Sequence, residues 1–322
     1  MDTNSATPKF NRIKAFQIFF GILAIIFLLG FLYWIFIGRF SESTDDAYVA
    51  GSQVQIVAQI EGAISSVNVS DTQSVKEGQV LFQIDPTEVK LASEKMDIDL
   101  LNAAADYQRR IALQGEASVS KEELDHARLA LQKSSANARQ AYINVLRAQV
   151  LSPVAAVIAK RYTEVGQRVA PGTPLALMVA SDGIWVDANF KEDQLHKIRV
   201  GQDATLESDI YGSKIRYHGK VVGFAPGTGS TLALLPAQNA TGNWVKVVQR
   251  LPVRIEFNPD ELKEYPLNIG LSLYVKVDTK NVNGVPLLAM KEGAVRTTDI
   301  YQKQFDAAEK HIQSLLNHTQ IR

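Results

Sequence analysis

Two adjacent carboxylates, Asp45 and Asp46, could form a pair for acid–base chemistry. Such chemistry needs a proton-relaying partner positioned against a substrate or a nucleophile. Neighbouring residues at the entrance of a strand point to opposite faces, and no nucleophile or base accompanies the pair. The pattern therefore predicts no catalytic residue at this position.

The sequence also lacks the residue patterns that phosphate binding and metal binding require. The glycine-rich stretch "GFAPGTGS" (223–230) has no G-K-[ST] ending, so it predicts a loop rather than a phosphate-binding turn. There is no cysteine, which excludes thiol catalysis, thiolate metal sites and disulfides. The histidines have no ligand spacing, so we expect neither a metal site nor a cofactor. They are His126, His196, His218, His311 and His318.

The charge balance argues against a nucleic-acid partner. Lys+Arg and Asp+Glu each number 34, so the formal net charge is zero. Nucleic-acid binding needs a concentrated basic face. We expect no nucleic acid among the ligands.

One β motif occurs twice in the chain. "SVKEGQVLFQID" (Ser74–Asp85) and "RVAPGTPLALMV" (Arg168–Val179) align without a gap at a constant offset of 94, which pairs Gly78 with Gly172 and Leu81 with Leu175. Each copy reads as short strands between turn signals. One half alone would leave its apolar face in water. The repeat therefore predicts two halves that close into one β sandwich.

The segment between the two copies is helical in pattern. From Pro86 to about Gln114 there is no internal Pro or Gly, and Asp85-Pro86 is a favourable helix start, with Pro at the first helical position. Ser120 and Glu123 have the spacing of a capping box, which predicts the start of a second helix. Apolar residues there recur at alternating steps of three and four, the pattern of a coiled-coil seam. We therefore expect an antiparallel helical hairpin, each arm about 44 Å long.

The C-terminal third returns to strand patterns and then changes. "LPVRIEF" and "LSLYVKVD" alternate apolar and polar residues, which predicts a small antiparallel β barrel over residues 181–280, with "KEDQLHKI" as one short helix. In the tail, Phe305, Ala308, Ile312 and Leu315 lie on one face of a possible amphipathic helix. We interpret that face as a contact with a membrane surface or a partner, not as a core element.

The N-terminal region contains a long apolar segment. Residues 15–38 carry no charge, and about 20 apolar residues suffice to cross a bilayer. Three basic residues precede this segment, and Glu42, Asp45 and Asp46 follow it, so the positive-inside rule places the N-terminus in the cytoplasm. We expect a transmembrane anchor rather than a cleaved signal peptide, with the rest of the chain outside.

Five stretches resemble one family of adaptors. They are "TDDAYV" (Thr44–Val49), "VSKEELDHAR" (Val119–Arg128), "GQRVAPGTPL" (Gly166–Leu175), "WVDANFKE" (Trp185–Glu192) and "LLPAQNATGNWVKVVQRLPVRI" (Leu234–Ile255). From about residue 10 to 280 the chain looks like the EmrA-type multidrug adaptors of the HlyD family of membrane fusion proteins. The split β unit then looks like a lipoyl-like domain.

The resemblance implies a function and partners. It implies a periplasmic adaptor in the bacterial inner membrane, joining a major-facilitator exporter to a TolC-like outer-membrane channel as a homo-oligomeric ring, commonly of six copies. It also implies a docking motif, R-x3-L-x6-S, which Arg109, Leu113 and Ser120 match around the expected turn. The predicted hairpin is shorter than is usual for EmrA-type adaptors, so direct contact with the channel stays open.

Two alternatives remain beside this interpretation. One is an adaptor for another exporter class, such as an ABC-type secretion pump. The other is an anchored enzyme with a lipoyl or biotinyl carrier lysine, but Asp85-Pro86 and a helix follow Ile84 where the carrier turn would lie, and Lys76 lies in a different turn. We therefore expect a non-enzymatic protein.

The expected fold class is mainly β with an inserted coiled-coil hairpin. Its expected parts are a cytoplasmic N-terminus (1–14), a transmembrane helix (15–38), a linker (39–53), a split lipoyl-like domain (54–85 and 148–180), the hairpin (86–147), a β barrel (181–280) and a tail (281–322).

Overall fold

The computed structural model describes residues 12–36, 40–114, 119–228, 231, 248–282 and 297–320. The helices among these residues are α1 (Arg12–Phe36), α2 (Thr87–Gln114), α3 (Lys121–Arg147), α4 (Glu192–Leu195), α5 (Pro259–Glu264) and α6 (Ile300–Gln320). The strands are β1 (Ser41–Val57), β2 (Gly62–Val67), β3 (Ser74–Val75), β4 (Val80–Ile84), β5 (Gln149–Leu151), β6 (Ala156–Arg161), β7 (Arg168–Val169), β8 (Pro174–Lys191), β9 (Asp203–Ser208), β10 (Arg216–Phe224), β11 (Arg250–Phe257) and β12 (Ser272–Asp278).

The described residues form two compact units. The barrel unit draws on residues 1–50 and 185–292, and the hairpin unit on residues 51–184 and 293–322. Two long strands, β1 and β8, contribute to both units.

An antiparallel β barrel forms most of the barrel unit. Its strands follow the order β1-β12-β9-β10-β11-β8, and a further pairing of β1 with β8 closes the ring. Burial alternates along β11 and β12, as the sequence predicts, so one apolar set fills the interior. The buried set from these two strands is Val253, Ile255, Phe257, Leu273, Val275 and Val277. The predicted short helix is confirmed as α4.

A polar network joins β1, β8 and β11 in the barrel. The Thr44 hydroxyl donates to the Asn189 carbonyl oxygen at 2.8 Å. The Asp46 carboxylate accepts from Asn189 Nδ2 at 3.2 Å and from Arg250 Nη1 at 2.7 Å. Asp45 is exposed beside it. Asp46 is therefore a structural acceptor that joins three strands.

The hairpin unit confirms the repeat strand by strand. At the offset of 94, β2, β3 and β4 correspond to β6, β7 and the start of β8. The last residues of β1 correspond in the same way to β5. A four-stranded sheet of order β5-β4-β2-β7 takes strands from both halves, and β6 pairs with β3 and with β8. Each half therefore completes the sheets of the other.

The two halves exchange equivalent hydrogen bonds. The Ile64 amide donates to the Gln167 carbonyl oxygen at 2.9 Å. At the equivalent positions the Ile158 amide donates to the Gln73 carbonyl oxygen, also at 2.9 Å. The same surface is thus used twice, as in a twofold-symmetric dimer, but within one chain. This reciprocity is the physical reason for the repeated motif.

One turn differs between the halves. Gly166 has a φ of 86°, and its equivalent is Thr72, with a φ of 68°. A β-branched residue is disfavoured in this left-handed region, where glycine is tolerated. The Thr72 amide donates to the Ile158 carbonyl oxygen, as the Gly166 amide donates to that of Ile64, both at 2.8 Å. The same hydrogen bond is present in both halves, and it stabilises Thr72 in a left-handed conformation that glycine adopts more easily.

Both halves contribute to a single apolar core in the hairpin unit. Leu81 and Leu175, which the repeat pairs, are each 0% exposed in this core. The core also contains Ile64 and Ile158. The prediction of a core shared by the two copies is confirmed.

The N-terminal helix α1 exposes large apolar side chains. Phe19, Leu23 and Phe27 are among them. Over the residues that the structure describes, no helix is both long and apolar enough to span a bilayer. The transmembrane assignment of residues 15–38 therefore stays a prediction.

The interpretation of the C-terminal tail is wrong. Helix α6 lies against α2 and α3, so the hairpin covers most of its apolar face, while Phe305 at its edge stays 43% exposed. Ala308 and Ile312 are buried there, whereas the sequence analysis assigned them to a membrane surface or a partner. The amphipathic pattern showed that one face of the helix must be buried against another element, and that element is the hairpin.

Candidate functional site

The helical hairpin carries the predicted docking residues at its far end. Helix α2 starts where the Asp85 carboxylate accepts from the Thr87 amide at 3.1 Å and from its hydroxyl at 2.7 Å. These hydrogen bonds, that of the hydroxyl first, hold the pKa of Asp85 below its usual value. The helix of 28 residues then extends about 42 Å from the β core.

Ser120 begins the returning helix α3 through a complete capping box. The Glu123 amide donates to Ser120 Oγ at 3.2 Å, and the Ser120 amide donates to Glu123 Oε2 at 2.9 Å. The Ser120 hydroxyl also donates to Glu123 Oε2 at 3.0 Å. Both predicted partners of the box are therefore present, and the hydroxyl is occupied within its own helix.

The capping box depends on pH through Glu123. The hydrogen bonds from the Ser120 amide and hydroxyl hold the pKa of Glu123 below its usual value. A carboxylate with a lowered folded-state pKa contributes stability above its unfolded pKa and loses it as the pH falls through the folded one. The start of α3 is therefore weakened only in acid, below the usual glutamate range.

Replacing Ser120 with Ala tests the local role of the cap. The substitution removes the side-chain acceptor of the Glu123 amide, so we expect a loss of about 1 kcal/mol in unfolding free energy. Denaturant titration of the hairpin unit measures it. Lys121→Ala, an exposed change next to the cap, is the control and should have little effect. An equal loss in both variants would contradict the assignment.

Arg109 and Leu113 are exposed on the last turns of α2. They lie four residues apart and so share one helix face. The Arg109 side chain is 74% exposed, and its guanidinium lies 3.6 Å from Asp106. Leu113 is 44% exposed. The tip therefore presents a cation and an apolar side chain together.

Sequence reasoning missed the residue that bridges the two helices near the tip. Arg110 Nε donates to Asp106 Oδ2 at 3.0 Å, and its Nη1 donates to the Glu123 carbonyl oxygen at 3.3 Å. Arg110 therefore joins α2 to α3, which leaves Arg109 pointing outward. Two consecutive arginines carry no local signal of which one faces the partner helix.

Helix α6 packs on the part of the hairpin next to the β core and forms a three-helix bundle with it. Leu100, Ala138 and Ile312, one from each helix, form a buried cluster. Of these, Ile312 is 2% exposed. With 21 residues, α6 reaches about 32 Å, so it ends short of the length of α2. The bundle stiffens the part of the hairpin next to the β core.

Polar contacts fix the position of α6 on the bundle. His311 Nε2 lies 3.0 Å from Asp97 Oδ2, and the His311 ring stacks on Tyr142 with centroids 4.0 Å apart. Arg139 Nε lies 2.8 Å from Glu309 Oε2. Each of these contacts joins one residue of α6 to one residue of the hairpin. Together they fix the position of α6 along the hairpin axis, which apolar packing alone would leave free to shift.

Replacing Ile312 with Ala tests whether α6 belongs to this bundle. Truncation of a buried isoleucine leaves a cavity, and we expect α6 to be destabilised on the hairpin by about 2–5 kcal/mol. Hydrogen exchange should then become faster in α6 and in the facing turns of α2 and α3. Gln313→Ala, at the exposed neighbouring position, is the matched control. Unchanged exchange in Ile312→Ala would contradict the packing.

The position of a carrier lysine is occupied by a helix start. Strand β4 ends at Ile84 and α2 begins at Thr87, so the chain leaves the β core here instead of turning back in a hairpin. Lys76 lies between β3 and β4, in another turn. The unit is therefore a split β domain with an inserted helical hairpin.

Comparison with known proteins identifies the family. The family described as "RND MFP, barrel-sandwich hybrid domain" matches residues 52–181. The multidrug export protein EmrA of Escherichia coli K12 is 39% identical, over 84% of this chain and 83% of that protein. This chain belongs to the EmrA-like membrane fusion proteins. Their members are non-enzymatic adaptors of multidrug export systems.

Two further comparisons give a second relative and a solved structure of similar fold. EmrK of the same organism, named as a probable multidrug resistance protein, is 33% identical over 98% of each chain, in an alignment of 387 positions against the 322 residues here. The crystal structure of a MacA–MexA chimera that carries the Pseudomonas aeruginosa MexA α-hairpin superposes with a TM-score of 0.59. At 23% identity over 76% of this chain and 82% of that one, it supports the fold alone.

Proposed function

We propose that this EmrA-like adaptor joins an inner-membrane major-facilitator exporter to a TolC-like outer-membrane channel in a tripartite multidrug efflux pump. The observation that carries the proposal is the 39% identity to a multidrug export protein over 84% of the chain. The adaptor acts as a homo-oligomeric ring, in which six copies are the common number for the family.

The adaptor is held in the bacterial inner membrane by residues 15–38 as a single span. These residues are uncharged, and the described part of α1 exposes apolar side chains that water would disfavour. Basic residues precede the segment and acidic residues follow it, which favours a cytoplasmic N-terminus and a periplasmic position for the rest.

The tip of the hairpin docks on the outer-membrane channel. Arg109 and Leu113 offer a cation and an apolar knob on one exposed face, while Ser120 caps α3 and sets its direction. A groove between channel helices could bury Leu113 and pair Arg109 with a carboxylate. The bundle with α6 would hold the tip stiffly for this contact.

Copurification tests the proposed partners. We expect the adaptor, solubilised from membranes of its own host and captured under mild detergent, to retain a major-facilitator exporter identifiable by mass spectrometry. An ABC-type exporter in its place would support the alternative adaptor class. Protease added to spheroplasts tests the topology, and it should digest residues 40–322. Protection of that region would contradict the proposed orientation.

A further inference from the structure

A concavity of about 460 Å³ opens on the outer wall of the barrel. Its lining includes three cations, Arg216, Lys276 and Lys280, and two aromatic residues, Phe40 and Tyr274. Along β12, exposed Tyr274 and Lys276 alternate with side chains that fill the barrel interior. The concavity therefore lies outside the barrel core and is open to a ligand from the surroundings.

The charges of this concavity are mixed in sign. Arg216 Nε lies 2.8 Å from Glu207 Oε1, and Lys280 Nζ lies 3.8 Å from Asp278 Oδ2. Lys276 makes no ion pair with any residue that the structure describes. A purely anionic ligand would meet the two carboxylates as well as the cations. A ligand that carries both a phosphate and an ammonium group matches both signs.

The concavity lies close in the chain to the segment that we propose as the membrane anchor. Strand β1 begins at Ser41, and α1 ends at Phe36, so an extended link spans at most about 18 Å. The Thr279 amide donates to the Phe40 carbonyl oxygen at 3.0 Å, which ties the start of β1 to the end of β12. If residues 15–38 span the bilayer, this end of the barrel lies within reach of the lipid headgroups.

We propose that the concavity binds the headgroup of an ammonium-bearing, zwitterionic phospholipid. This inference rests on the membrane anchor of the proposed function. Lys276 and Arg216 donate to the phosphate, because charge-assisted hydrogen bonds to phosphate are strong. The ammonium group lies beside Glu207 and over the Tyr274 ring, which attracts a cation through its π face.

Such a contact would set the orientation of the barrel. A single apolar helix can rotate and tilt in a bilayer, and its packing and interfacial contacts decide its orientation. A headgroup held on one side of the barrel fixes which wall faces the membrane. Lipid binding is therefore a positioning interaction, separate from docking at the hairpin tip.

Lipid binding by the full chain in detergent tests the proposal, with Lys276→Gln as the test variant. Lys220→Gln is the matched control, because Lys220 is an exposed lysine of β10 outside the lining and pairs with Asp203 at 3.0 Å. Native mass spectrometry counts bound phosphatidylethanolamine and phosphatidylglycerol. We expect the original chain and the control to prefer phosphatidylethanolamine, and Lys276→Gln to lower its affinity at least about fivefold. Soluble phosphoethanolamine in excess should displace it.

Several results would overturn the headgroup site. These are equal lipid retention by both variants, a preference for phosphatidylglycerol, and no displacement by phosphoethanolamine. Loss of the exporter without loss of lipid in Lys276→Gln would show a protein contact instead. Alkaline carbonate extraction of the membranes before solubilisation separates the headgroup site from the membrane anchor, because a chain released by carbonate would refute the anchor itself. If the chain binds no lipid while the pump assembles normally, the headgroup site is refuted and the proposed adaptor function still stands.

Discussion

Replacing Leu175 with Asp should unfold both halves of the β core together. Leu175 is 0% exposed in a core to which both copies of the repeat contribute. A carboxylate there has no partner, and its desolvation costs several kcal/mol, comparable to the whole stability of a small domain. Limited proteolysis should then cut β2 and β4 as readily as β8, and release the hairpin bundle.

The equivalent variant and an exposed control make this test specific. Leu81→Asp, at the position that the repeat pairs with Leu175, should give the same pattern. Val165→Asp places the same charge on an exposed turn of the second half and should leave the unit folded. If Leu175→Asp left the first half protected, the reciprocal hydrogen bonds would not couple the halves.

Features that depend on neighbouring residues were predictable from the sequence. The capping box of Ser120 and Glu123 marked the start of α3, because both of its partners lie within one turn. The alternation in β11 and β12 predicted the inward set of the barrel for the same reason. The repeat also predicted a contact between distant parts of the chain, because two copies of one incomplete sheet can bury their apolar faces only against each other.

Features that depend on distant partners were not predictable. The amphipathic face of α6 showed that Ile312 needs cover, but its cover, Leu100 and Ala138, lies far away along the chain. The same limit applies at the tip, where only the packing of α2 on α3 decides that Arg110 bridges the helices. Thr72 carried no signal of a left-handed turn, since glycine marks that position only in the other half.

The structure divides the hairpin into a braced part and a free end. Helix α6 covers the level of Leu100 and Ala138, and the Arg110 bridge to α3 lies nearer the tip. In the proposed docking, the part that α6 braces is a spacer and the free end makes the contact. A hairpin with arms of 28 and 27 residues therefore offers little surface to a channel beyond its last turns. Specific docking must depend on few residues, so a single charge reversal should have a large effect.

Arg109→Asp should abolish drug resistance while the adaptor remains folded and anchored. The Arg109 side chain is 74% exposed and its only described ion pair is with Asp106, so the substitution removes an interaction worth about 0–1 kcal/mol. At a docking surface the same change places like charges together in every copy of the ring, which costs several kcal/mol in total. Resistance is measured as the minimum inhibitory concentration in cells that lack other pumps.

A matched charge reversal separates docking from general charge effects. Lys133→Asp makes the same change of sign at an exposed position of α3, about 13 Å further from the tip by helix rise. It should keep full resistance, and both variants should keep normal expression, membrane anchoring and copurification of the exporter. Only Arg109→Asp should lose copurification of the outer-membrane channel. Full resistance in Arg109→Asp would show that the tip is not the docking site, because the neighbouring cation Arg110 is already engaged with Asp106 and with the Glu123 carbonyl oxygen.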